Sequence, residues 1–210
     1  NVNQGTLASA TSNTLSGSAA MVVAGGVFDV RTFNDSIGTF SITSGSLVGT
    51  STLTAATYAF GGGTVASNLG AGTVSVTANT SLLGVSSAGT VDVASGTLTL
   101  GSASRLVVQP NVTGSAGAVI TLAGNESFNS LAGGVNVAVG SGTLTAGGLG
   151  ATTVYAGSIS GPGGFVKAGA GTMTLSGSNS YGGRTNVNGG RLLLGSSNAI
   201  SGSTTVTILT

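Results

Sequence analysis

The chain has 210 residues, of which 39 are glycine and 2 proline, and it contains no histidine, cysteine or tryptophan. Charged residues make up 4%, against about a quarter in ordinary soluble domains, and the net charge is +1. These figures exclude a basic stripe for nucleic acid, a disulfide framework, a thiolate or imidazole metal site, and catalysis by histidine or cysteine.

A chain this apolar and this weakly charged builds an ordered core, and its length suits one all-β domain over residues 1–210. Asn1-Val2-Asn3-Gln4 lacks the basic start of a signal peptide. The longest apolar run, Ala19 to Phe28, is broken by Gly25 and Gly26 and falls short of the roughly 20 residues of a spanning helix, so no membrane-spanning segment is expected. Glycine interrupts every stretch of helical length. Short runs of Val, Thr, Ile and Leu between Gly, Ser and Asn predict strands instead. In chain order these are Ser41–Thr43, Thr73–Thr77, Thr90–Val93, Thr97–Leu100, Arg105–Val108, Ala118–Leu122, Val135–Val139, Thr172–Leu175, Arg191–Leu194 and Thr205–Leu209. Most alternate apolar with polar residues, so one face points inward and the other outward.

Glycine followed by Ser or Thr and then an apolar residue recurs at Gly5, Gly38, Gly45, Gly63, Gly72, Gly89, Gly96, Gly142, Gly157 and Gly171. A glycine that releases the chain from a corner into a strand explains the phrase, and its uneven spacing predicts coils of variable length. Brief strands, small corner residues and little charge together predict a β-solenoid. One turn pair, Asn188-Gly189 between Thr185–Val187 and Arg191–Leu193, reads as a hairpin. At about 20 residues per coil the chain makes roughly ten coils, a rod on the order of 50 Å long.

The block 161–181 places Thr-Met-Thr-Leu between glycine-dense corners. Its ordered set Gly163, Phe165, Lys167, Gly169, Gly171, Thr172, Met173, Thr174, Leu175, Ser176, Gly177, Asn179 and Tyr181 continues through Gly183, Thr185, Val187, Asn188, Gly190 and Leu192. Residues 161–192 thereby resemble the autotransporter-associated β-strand repeat, also called the passenger-associated transport repeat, of large secreted bacterial surface proteins. A weaker echo at 25–30, 34–38 and 51–55 looks like the segments that alternate with this repeat. The resemblance implies a right-handed parallel β-helix, export across the outer membrane and an extracellular or cell-surface location. Arg184 and Arg191 depart from the small residues usual there and are expected to face outward. No part of the chain resembles the family's C-terminal membrane barrel.

Residues able to carry chemistry are few. Lys167, the only lysine, sits within the repeat motif and reads as a solvated exterior residue rather than a serine-activating base. Asp29, Arg31 and Asp35 form the only charge cluster, which reads as a charged loop; two facing carboxylates would instead serve as acid and base. Gly161-Pro162-Gly163-Gly164 and Gly169-Ala170-Gly171 open no helix and lack the residues of a phosphate loop. Four acidic residues in all cannot supply calcium nonapeptide repeats. Thr-x-Thr at Thr52, Thr97, Thr143 and Thr172 raises the question of ice binding, but the irregular spacing argues against a ranked array. Phe28, Phe33, Phe40, Tyr58, Phe60, Phe128, Tyr155, Phe165 and Tyr181 read as interior residues or corner plugs.

The expected protein is a structural or adhesive β-helix segment of a bacterial surface protein, not an enzyme, with no catalytic, cofactor or metal site. It is expected to continue in a longer chain or to stack end to end into a filament, because no capping helix is legible at either end. A host or matrix surface is the expected partner, not nucleic acid. The alternative is a polysaccharide lyase or hydrolase using Asp29 and Asp35.

Overall fold

The computed structural model describes residues 1–202 and 205–209. Within them the chain winds as a β-solenoid of about 11 turns, close to the expected ten, with no helix among the described residues. Strands join into a 15-stranded, a 5-stranded and a 3-stranded sheet. Each strand pairs in parallel with the strand one coil away, as in Thr73–Val76 beside Thr90–Val93 and Thr97–Leu100 beside Val119–Leu122.

Alternation decides which side chains enter the rod. In Thr97–Leu100, Leu98 and Leu100 are buried and the two threonines point out. Because registers are kept from coil to coil, inward residues stack in columns. One column runs Phe28, Leu47, Val65, Leu82, Leu100, Leu122 and Val139. A second runs Met21, Phe40, Tyr58, Val74, Val91, Val112 and Leu131. These two columns supply about a third of the buried hydrophobic residues, and each aliphatic member that leaves water contributes about 1.5–3 kcal/mol. Of the nine aromatic residues, all but the half-buried Phe33 are fully buried, as the interior reading expected.

Three expectations need correction. The first coils are not built of short strands: Ala20–Asp29, Asp35–Val48 and Thr52–Phe60 run for 10, 14 and 9 residues. They turn the corners without breaking their ladder, helped by register shifts around Ala24. Arg105–Val108 is no strand; the Glu126 carboxylate takes the N–H groups of Arg105 and Leu106, and Val107 and Val108 stand exposed. Asn188-Gly189 does not close a hairpin. The strands around it, Thr185–Val187 and Arg191–Leu194, lie in different sheets and each pairs with another coil.

Coil length varies without disturbing the stack. Contacts between neighbouring coils span from 16 residues (Ser67 to Ser51) to 22 residues (Ser158 to Asn136), and the corners absorb the difference. Glycine serves these corners in two ways. Gly45 has φ +87, which residues with a Cβ rarely adopt. Gly157 has ordinary φ, but a Cβ there would lie 2.0 Å from the Val135 carbonyl oxygen of the coil beneath.

Candidate functional site

The groups able to do chemistry lie inside the rod or at its corners. Lys167 follows Val166 and shares the inward parity of Phe165 in the strand Gly164–Lys167, so it cannot be the exterior residue expected of it. It is 0% exposed. It occupies the column Phe128, Ala146, Lys167, Val187, where Ala146 and Gly147 leave room for its stem. The ammonium donates to the carbonyl oxygens of Ala168, of Gly169 at 2.9 Å and of Gly189 at 3.2 Å. Gly189 belongs to the next coil, so the lysine ties two corners together. Burial pulls its pKa below the usual lysine value.

Asp29 and Asp35 do not meet in a groove. Asp29 lies between inward Phe28 and Val30, half-exposed, and its Oδ1 accepts the Arg31 N–H at 2.7 Å. Asp35 has the parity of Ile37 and is 2% exposed. Its carboxylate accepts from Ser9 Oγ at 2.7 Å, Thr14 N at 2.7 Å, Thr14 Oγ1 at 3.0 Å and Leu15 N at 3.1 Å. Burial raises its pKa, but these four donors outweigh burial and hold the carboxyl below its ordinary value. It is a clasp for residues 9–15, and that segment lines a cavity of about 260 Å³ with Leu7, Leu15 and Phe28. Glu126, in step with buried Phe128, clasps Arg105 and Leu106 in the same manner; here burial prevails over its donors and raises the pKa.

The tyrosines also work inward. Tyr155 Oη donates to the Val135 carbonyl at 2.7 Å with the Ser158 carbonyl at 3.0 Å, and burial pushes its pKa up. Tyr58 Oη accepts the Ala55 N–H at 2.9 Å and donates to Leu53 O at 3.0 Å. Tyr181 and Thr185 share a hydroxyl bond of 2.6 Å. No tyrosine offers a sugar platform.

Sequence reasoning missed the asparagines. Asn34, Asn79 and Asn125 each accept through Oδ1 the N–H of Thr52, Thr97 and Thr143, one coil ahead, at 2.8–2.9 Å. Asn179 spans three coils, accepting from Ile159 N and donating to Ala199 O, both at 2.6 Å. The available signal was an asparagine immediately before a strand and 18 residues ahead of a threonine that opens another. The glycine clusters at 161–164 and 169–171 serve close approach between coils rather than a ligand; a Cβ at Gly163 or Gly171 would lie 2.2 Å from a carbonyl oxygen of the neighbouring coil. Arg184 and Arg191 are exposed, as expected.

A parallel coil with stacked columns, interior clasps and backbone-braced corners is a β-solenoid repeat protein, and its polar interior groups bind the chain to itself. Within it, residues 165–194 match the passenger-associated-transport-repeat family. That segment is such a repeat, with Phe165 and Lys167 in its first strand and Arg191–Leu194 as its last. The weaker echo at 25–55 lies outside the match. No curated protein and no solved structure matches the chain. The fold and the repeat fit a β-helix segment of a surface protein. Among the described residues, no helix is long and apolar enough to cross a membrane.

Proposed function

We propose that this chain is a rigid structural or adhesive segment of a secreted bacterial surface protein, holding binding surfaces away from the cell by the length of its rod. The observation that supports it most directly is the parallel coil-to-coil pairing that carries on through the passenger repeat at 165–194, where Gly164–Lys167 and Thr172–Leu175 each pair with the coils before and after. Most strands pair with a coil on each side, so the rod resists bending and offers a protease few loose segments. Asp29 and Asp35 are spent on separate local tasks, and nothing in the geometry favours the polysaccharide-cleaving alternative.

Continuation of the rod belongs to the same proposal. Leu194, Val206 and Ile208 on the last described coil are exposed, Ile208 at 70%, and among the described residues their strands pair along one edge. A further coil covers them, either from a longer chain or from a second copy stacked end to end; a host or matrix surface then meets the sides of the rod.

Electron microscopy of the intact assembly on cells, with protease shaving of live cells, tests this reading. Slender rods at the surface, lost on shaving, are expected. A protein confined to the cytoplasm, or compact particles with no axial extension, would overturn it.

A further inference from the structure

The uneven spacing of threonines along the sequence argued against a ranked array, but the register produces one. Thr39, Thr57, Thr73 and Thr90 are direct ladder partners in four successive coils. Ala20 precedes them and Asn111 and Ser130 follow in the same column. Two residues further along each strand, Ser41, Ala59, Ser75 and Asp92 form a second column on the same face. Thr39, Thr57 and Thr73 are exposed and Thr90 is half-buried. Of the Thr-x-Thr pairs that drew attention in the sequence, Thr99 has a threonine as ladder partner, Thr121, in a mixed column with Ser81 and Thr64 on another face.

Several hydroxyls at the corners are bound to protein: Ser51 to Phe33 O, Ser67 to Ser51 O, Ser95 to Thr77 O and Ser196 to Gly177 O, all at 2.6–3.1 Å; in the column itself, Ser130 donates to Asn111 Oδ1 at 2.9 Å. The hydroxyls of Thr39, Thr57, Thr73 and Thr90 have no protein partner. They are left to water. Threonine is stiff about χ1, so each presents its hydroxyl and methyl in a fixed order, which serine does not. The rungs repeat at about 4.8 Å and alternate residues along a strand at about 6.7 Å. Water oxygens in ice repeat along one axis at close to the rung distance. Over the four threonines the face carries one charge, at Asp92, and no outward aromatic ring.

We propose that this face orders water into an ice-like layer and binds the surface of ice crystals, with Thr39, Thr57, Thr73 and Thr90 as the binding column. Hydroxyls anchor the ordered water and the methyls between them keep it from being drawn into disordered hydration. The ligand is crystalline water, a class separate from any adhesive target, and the inference does not depend on where the protein is displayed.

The test is ice growth in dilute solutions of the whole chain, read as crystal faceting, thermal hysteresis and inhibition of recrystallisation. Faceted growth with a measurable gap between melting and freezing is expected. Thr57→Tyr with Thr73→Tyr, at exposed positions, abolishes the gap while far-UV circular dichroism is unchanged. Thr145→Tyr, in the outward column of Ser127, Thr145, Val166 and Asn186, leaves it intact. Round, unfaceted crystals with no gap from the unsubstituted chain overturn the proposal, whatever the variants do. So does full hysteresis in the double variant, or equal loss in Thr145→Tyr.

Discussion

Replacing Lys167 with methionine separates an interior clasp from an exterior ornament. Methionine keeps most of the stem's packing against Ala146 and Gly147 and removes the three bonds from the ammonium to the carbonyls of Ala168, Gly169 and Gly189. A dry carbonyl that loses a charged donor costs about 1.5–3 kcal/mol. All three acceptors lie in half-buried corners, where water recovers part of that loss, and removing a buried charge returns its desolvation cost. The expected net loss is about 2–4 kcal/mol, read as a lower urea midpoint by circular dichroism. Hydrogen exchange should quicken at the corners 168–171 and 189–191 before it does elsewhere. Arg184→Met, on the exposed face of the adjoining coil, should change stability by less than about 0.5 kcal/mol. A Lys167→Met variant as close to wild type as that control would refute the clasp.

Other substitutions test the remaining interior groups. Tyr155→Phe keeps the ring and removes the hydroxyl that Val135 O and Ser158 O accept; a loss of about 1–3 kcal/mol in thermal unfolding is expected. Gly157→Ala places a Cβ 2.0 Å from Val135 O and should cost about 1–3 kcal/mol or more, whereas Gly17→Ala, where nothing stands within 4 Å, should be neutral in the same melt. Asp35 titrates below its ordinary 3.8 in the folded chain, so its stabilisation is complete above the unfolded value and is lost as pH falls through the folded one. Limited proteolysis should therefore reach residues 9–15 as the pH drops below about 4, while Asp35→Asn should admit the protease there at neutral pH and flatten the acid dependence.

Much of the interior was written in parity. Lys167 stands two residues from Phe165, Asp35 two from Ile37 and Glu126 two from Phe128, and each of the three is buried beside that neighbour's face. Asp29 and Asp92 alternate with buried residues on both sides and point outward. The rule that places Leu98 and Leu100 inside thus places the charges too. The exterior reading of Lys167 failed because charge was weighed before position. Arg105–Val108 failed for another reason: Leu106 keeps a single bridge to Ser86, but Glu126, one coil further on, takes the N–H groups of Arg105 and Leu106, and no ladder extends from the bridge.

Local pattern suffices for the class of fold. Glycine-bounded alternating runs, scarce charge and the repeat at 165–194 lead to a parallel solenoid of about the right number of coils, because strand period and corner chemistry act over a few residues. Which residues become neighbours across coils is another matter. It depends on how many residues each corner absorbs, and corners of different length hide the stacking from any fixed sequence spacing. Only the wound chain brings Thr39, Thr57, Thr73 and Thr90 into one column, sets the Lys167 ammonium against carbonyls one coil away, and parts Asp29 from Asp35. Register is a property of the whole coil, held by the buried columns, and it decides what the outer faces present.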